Sequence, residues 1–354
     1  MRARLSFHRF RRAGAMLAVL LALAGPGLAA TGDVDLPPDI DALLQEMPDE
    51  DPAVTEAFRA GVRAYYDEDY PAALRHWMPL AEQGHRAAQH NIALMYEHGR
   101  GVKQDYAAAA RWYRAAADQD VPDAMNNLAR LYAHGQGVRK SLADAYSWYR
   151  RAADLDFTEA QYNTGIAHLN GLGVPVDPAQ AAEWFERAAE KEYARAQYNL
   201  GGLYYQGRGV PKSVEIAALW YERAAQNGDA LAQYNYGILL LRGVGVSRDA
   251  AAAAKWFLSA AREGIEPAQS QIALMYVDGV GLPKDPVEGL AWLTVAARGG
   301  DGTAQRNRDR LSAHLSPPER AEAAKRAARF RASDPVDMPR IGPGQSGPLY
   351  RPAP

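Results

Sequence analysis

Six tryptophans, Trp112, Trp148, Trp184, Trp220, Trp256 and Trp292, stand 36 residues apart, and six Gly-x-Gly pairs beginning at Gly99, Gly135, Gly171, Gly207, Gly243 and Gly279 keep the same interval. A period held without a slip over six copies means one structural unit repeated along the chain, each copy leaning on the next. Any fold for this chain has to be assembled from that unit.

The copy from Ala196 to Gly228 shows what the unit does. Read as a helix, its first part places Ala196, Leu200, Leu203 and Tyr204 on one face, with the i, i+4, i+7, i+8 spacing of an amphipathic segment. Beside that stripe every copy has a small residue, namely Ala93, Ala129, Gly165, Gly201, Gly237 and Ala273, where a second helix can come close. The Gly-x-Gly-Val loop ends the first helix, because glycine accepts the positive φ of a helix terminus at little steric cost. The next helix opens at Asp105, Ser141, Asp177, Ser213, Asp249 and Asp285, all side chains able to accept from first-turn N–H groups. That second helix carries small alanines around Trp and a second aromatic, with Gly289 and Leu293 as departures. A single hairpin of this kind cannot bury its apolar side alone; stacking does so, and the expected fold is all-α, an α-solenoid.

These residues resemble the Sel1-like repeat, a relative of the tetratricopeptide repeat. The pattern A-x-x-N-L-G-x-x-Y-x-x-G-x-G-V, a cap, then A-x-x-W-Y-x-x-A-A-x-x-G runs over about residues 86 to 303, with His168, Leu240, Gln271 and Leu293 as departures. The resemblance implies a right-handed superhelix of stacked helix-turn-helix repeats whose first helices line the concave side. It also implies a scaffold for protein partners, in signalling and in the bacterial envelope, that is not an enzyme.

The flanks have other compositions. Residues 1–29 have a basic head with five arginines, an apolar run from Ala13 to Leu23 and a small-x-small exit, the layout of a secretory signal peptide cleaved after Ala29 or Ala30. An uncleaved anchor is the alternative, although the run is short of the roughly 20 residues of a membrane span. Residues 30–52 are acidic, contain four prolines and lack Lys and Arg, as a solvated linker does; an acidic docking arm is the other reading. The solenoid is expected over 53–303, a divergent N-terminal helix pair with Trp77 followed by six full repeats, then capping helices over 304–330 and a Pro/Gly-rich disordered tail over 331–354.

Removal of the signal takes five arginines and no acid from a chain of net charge −2, leaving about −7. No basic face for nucleic acid is evident. With no cysteine there is neither a disulfide nor a thiolate metal site. His98 and His134, one repeat apart, and His85 and His90, five apart, lack the spacing of paired metal ligands and read as surface or loop residues. No metal, no cofactor and no catalytic residue is expected. The alternative is a cell-wall glycan-processing enzyme or a β-lactamase-like hydrolase with a site assembled across repeats. Some cysteine-rich relatives have been linked to β-lactam hydrolysis, but their cysteines and a serine–lysine motif are missing here.

Partner binding is expected along the first helices. Asn91, Asn127, Asn163, Asn199 and Asn235, with Gln271, form a ladder in mid-helix, where asparagine has poor propensity. One reading is that each amide ties down neighbouring backbone; the other is that the ladder serves an extended partner chain. Immediately before it the residue drifts through His90, Asn126, Tyr162, Tyr198, Tyr234 and Ser270. A drifting position suggests freedom from packing, and Tyr162, Tyr198 and Tyr234 suggest an anchoring stripe. Glu97, Arg130 and Tyr205 fall on the same side and offer polar selectivity. The expected partner is a protein of the periplasm or the exterior, with an envelope signalling protein as the leading type. No membrane span is expected in the mature chain, and self-association is a further possibility.

Overall fold

The computed structural model describes residues 52–300 and 302–330; the expected signal peptide over 1–29, the acidic segment up to residue 51 and the expected tail over 331–354 lie outside the described residues. All regular structure among the described residues is helical. The chain divides into two compact units between Val176 and Asp177.

The N-terminal unit contains α1 (Pro52–Tyr66), α2 (Tyr70–Glu82), α3 (Arg86–His98), α4 (Tyr106–Ala117), α5 (Pro122–His134), α6 (Leu142–Asp154) and α7 (Thr158–Asn170). Within this unit consecutive helices pack on one another from α1 to α7. The C-terminal unit contains α8 (Pro178–Ala189), α9 (Ala194–Gln206), α10 (Val214–Gln226), α11 (Ala230–Arg242), α12 (Ala250–Arg262), α13 (Glu266–Asp278), α14 (Pro286–Arg298), α15 (Gly302–Ser312) and α16 (Pro317–Arg329). Here α8 to α14 pack in sequence, and both α15 and α16 return to α14. Each unit is thus a stack of helical hairpins, the solenoid arrangement. Among the described residues no helix is long and apolar enough to cross a membrane.

Local chemistry sets the helix ends. All six predicted caps accept first-turn N–H groups; Asp177, for instance, takes those of Ala179 and Gln180, each at 3.0 Å. The first glycine of each Gly-x-Gly pair caps its helix in the left-handed region, with φ between 67° and 74°. The second glycine does something the sequence alone does not show. A Cβ on Gly137 would sit 2.1 Å from the carbonyl carbon of Tyr106, at the start of the previous hairpin's second helix. The loop of one hairpin thereby lies directly on the backbone of its neighbour, a close approach that only glycine permits.

The small residue of the first helix serves as predicted. At Gly237 an added Cβ would come within 2.8 Å of the Phe257 ring, so the second helix packs there without a gap. Paired alanines on second helices, such as Ala224 with Ala225 and Ala260 with Ala261, are buried in one apolar cluster with Phe257, Ile272 and Trp292. Three of the repeated tryptophans are closed over by arginines one turn on: the guanidinium of Arg151 lies 5.2 Å from the Trp148 ring, that of Arg187 4.5 Å from Trp184 and that of Arg223 4.8 Å from Trp220. At the C-terminal end Phe330 stacks on Trp292 with centroids 4.1 Å apart, and Arg326 pairs with Asp285 and Glu288 of α14.

A second ladder of amides, formed by glutamines, fixes hairpin to hairpin. Gln89, Gln197, Gln233 and Gln269 are buried at the start of first helices. Each donates its side-chain amide to a carbonyl at the end of the preceding second helix, those of Ala81, Ala189, Ala225 and Ala261, at 3.0–3.3 Å. Those carbonyls belong to the last turn, where no intrahelical donor remains.

Candidate functional site

The predicted binding residues divide between the units. Asn91, Glu97, Asn127, Arg130, Tyr162 and Asn163 belong to α3, α5 and α7 of the N-terminal unit, while Tyr198, Asn199, Tyr205, Tyr234 and Asn235 belong to α9 and α11 of the C-terminal unit.

In the N-terminal unit the first helices are bridged by polar side chains. Arg130 of α5 pairs with Glu97 of α3, and the Tyr113 hydroxyl of α4 donates to the other Glu97 oxygen at 2.7 Å. Glu97 is 4% exposed, so its carboxylate is occupied by two partners inside the chain. Burial, and next the Glu97 charge, push the Tyr113 hydroxyl well above its ordinary range. One repeat further, Asn163 of α7 donates to Asn126 of α5 at 2.9 Å, and Asn126 reaches Glu159 at 3.5 Å.

Beside this network three buried side chains hold polar atoms that make no hydrogen bond among the described residues. They are both ring nitrogens of His90, Nδ2 of Asn91 and Oδ2 of Asp123. His90 is 2% exposed and meets the Tyr113 ring edge-on at 5.6 Å. Burial lowers its pKa to about 4, so the ring stays neutral. Asp123, in the first turn of α5, is pushed up to about 7 by burial, with the like charge of Glu159 adding to the rise. Tyr149 of α6 is also pushed up, to about 12, by burial.

The C-terminal unit presents rings where the N-terminal unit presents charges. Tyr198 leans on Tyr221 with centroids 5.7 Å apart, and Tyr234 on Phe257 at 5.8 Å. Asn235 reaches the Tyr198 hydroxyl at 3.5 Å, whereas Asn199 turns back to the carbonyl of Arg195 in its own helix at 2.9 Å. Tyr205 is partly buried against the unit's core.

Two expectations need correction. The drifting position is not free of packing: His90 lies inside the fold, and Tyr198 and Tyr234 rest on second-helix rings. The histidines are also not all at the surface, since His90 and His168 are buried, His168 3.2 Å from the Tyr146 hydroxyl where other copies carry a tyrosine. His98 and His134 are exposed. The sequence reading missed Asp123 and Tyr113 because an acid in a helix's first turn and an aromatic in a packing motif both have ordinary structural roles.

Stacked hairpins with Gly-x-Gly caps, paired alanines and a bridged row of first helices define a helical-repeat scaffold of the tetratricopeptide-like class. The Sel1 repeat model matches residues 86–121, 122–157, 158–193, 194–229, 230–265 and 267–301, and the chain belongs to the Sel1 repeat family. A Sel1 repeat protein from Oxalobacter formigenes is similar to it at 34% identity, with a TM-score of 0.63, covering 68% of this chain and 99% of that one. A protective antigen of uropathogenic Escherichia coli is similar at 24% identity over 92% of this chain and 85% of that one, with a TM-score of 0.36. An immunity protein from Pseudomonas aeruginosa is similar at 21% identity over 59% of this chain and 77% of that one, with a TM-score of 0.37. The comparison with curated proteins gives no match. Sel1 repeat proteins generally mediate protein–protein interactions.

Proposed function

We propose that this chain is a non-enzymatic adaptor of the bacterial cell envelope, exported by its N-terminal signal, which holds a partner protein along the first helices of its repeats and regulates envelope signalling. The observation that carries this reading is a contrast between two ladders of amides. Gln89, Gln197, Gln233 and Gln269 spend their amides on one repeated structural task, closing the end of the preceding helix, while Gln161 at the same position donates to Asp156. The asparagines divide: Asn163 and Asn235 donate to the drifting position of the preceding repeat, Asn126 and Tyr198, whereas Asn199 turns back to Arg195 in its own helix and the Asn91 amide makes no hydrogen bond among the described residues. An amide repeated in mid-helix with no one internal bond kept in all copies is well placed to serve an extended partner backbone. The half-buried Tyr162, Tyr198 and Tyr234 supply aromatic anchors beside it.

Photo-crosslinking from position 127 in intact cells, followed by identification of the captured protein, tests the reading. Capture that is lost when Tyr162, Tyr198 and Tyr234 are changed to alanine, with helical circular dichroism intact, supports it. Capture unchanged by the triple substitution overturns it.

A further inference from the structure

We infer that the N-terminal unit carries a receptor for a basic side chain of the partner, a lysine ammonium held between Asp123 and Glu159. The inference rests on the adaptor reading and specifies the chemistry that one of its faces selects.

Two carboxylates come together here by repeat geometry. Asp123 and Glu159 occupy the same place in consecutive copies, in the first turns of α5 and α7, and the charge of Glu159 is felt by Asp123. Arg130, the guanidinium carried by α5, is paired with Glu97 of α3.

The second observation is independent of the charges. Asp123 is 4% exposed, and its Oδ2 accepts no hydrogen bond among the described residues. A buried polar atom left without a partner costs about 1–3 kcal/mol, and a charged one costs more. His90 and Asn91 on the adjoining α3 are in the same condition, at 2% and 3% exposure. Register connects them: Asn126 meets Glu159, 33 residues later, and the same offset leads from His90 to Asp123. The unmet groups are thus an acid oxygen, a neutral imidazole and an amide donor on neighbouring first helices.

Their chemistry selects the ligand. The Asp123 carboxylate takes its own backbone N–H and leaves one oxygen open, which suits the point charge of an ammonium better than the two-pronged guanidinium fork. Glu159 is exposed and stands at the edge of the site, where it can draw the cation in. Asn126, bonded to both Asn163 and Glu159, holds that carboxylate in place. The Asn91 amide is a donor, matched by the main-chain carbonyl of the segment that bears the lysine.

The test is an NMR titration of the full chain with the capped peptide Ac-Gly-Gly-Lys-Gly-Gly-NH2 and its glutamine counterpart, following the side-chain amide signals of Asn126 and Asn163. The expected result is saturable shifts with the lysine peptide, binding at least about tenfold weaker with glutamine, and loss of about tenfold in affinity in Asp123→Asn. Glu159→Gln, at an exposed position that leaves folding intact, is expected to weaken binding similarly, whereas Glu263→Gln, at an exposed position of the C-terminal unit, is expected to have no effect. Equal binding of the two peptides, no binding of either, or undiminished binding by Asp123→Asn and Glu159→Gln would overturn the inference. If tyrosine-dependent partner capture persists in cells while the lysine peptide fails, the adaptor reading stands and the ammonium site alone falls.

Discussion

Asn163 donates its side-chain amide to Asn126 across 2.9 Å, so that the ladder residue of one repeat is bonded to the drifting position of the repeat before it. The two series, distinct in the sequence, form one polar row between α5 and α7. A half-buried hydrogen bond of this kind contributes about 1 kcal/mol. Asn163→Ala is expected to lower the stability of the chain by that amount, read from urea unfolding, and to loosen the hold on Glu159.

The glutamine ladder is expected to matter more. Gln197 is 2% exposed, donates to the Ala189 carbonyl at 3.0 Å and accepts from Asn227 at 3.0 Å. Gln197→Leu removes both bonds, although the Ala189 carbonyl keeps the Glu192 N–H at 3.0 Å and Asn227 keeps the Glu192 carbonyl at 3.4 Å. The expected loss is about 1–2 kcal/mol, seen as a lower urea midpoint, with hydrogen exchange accelerating first at the ends of α8 and α10.

Two buried groups in the N-terminal unit give opposite pH dependences. Asp123 has its folded pKa raised from 3.8 to about 7, so the folded chain holds the proton more tightly than the unfolded chain. The stability this contributes is fully present below pH 3.8 and is lost as pH rises through about 7, a difference of up to about 4 kcal/mol. His90 is lowered from 6.5 to about 4, so stability is lost as pH falls from 6.5 through about 4, by up to about 3 kcal/mol. Thermal unfolding across pH 4 to 8 checks both. Asp123→Asn is expected to gain over the parent chain as pH rises, and His90→Phe as pH falls.

Backbone strain gives a stabilising change. Glu192 sits at φ 62°, between second and first helices, at the place where Gly228, Gly264 and Gly300 stand in other copies. A residue with a Cβ in the left-handed region costs about 1 kcal/mol relative to glycine. Glu192→Gly is expected to raise the melting temperature by a few degrees. Gly137→Ala should act in the opposite sense by several kcal/mol, because its Cβ would collide with the Tyr106 backbone.

The repeat fixes much of this protein before any coordinates are considered. The 36-residue interval, the alternation of apolar faces, the six caps and the six left-handed glycines are local signals, each depending on a few neighbouring residues, and the helices begin and end accordingly. What the tertiary structure alone decides lies between hairpins. Gln89 in the sequence is an ordinary helix former; only the carbonyl of Ala81 arriving from the previous helix gives it a task. His90 looks like a surface residue until the Tyr113 ring covers it, and Asp123 looks like a solvated first-turn acid until the next repeat brings Glu159 beside it. Periodicity tells where each hairpin starts. Which polar groups lose their water depends on contacts some thirty residues apart, and those exist only once the hairpins have stacked.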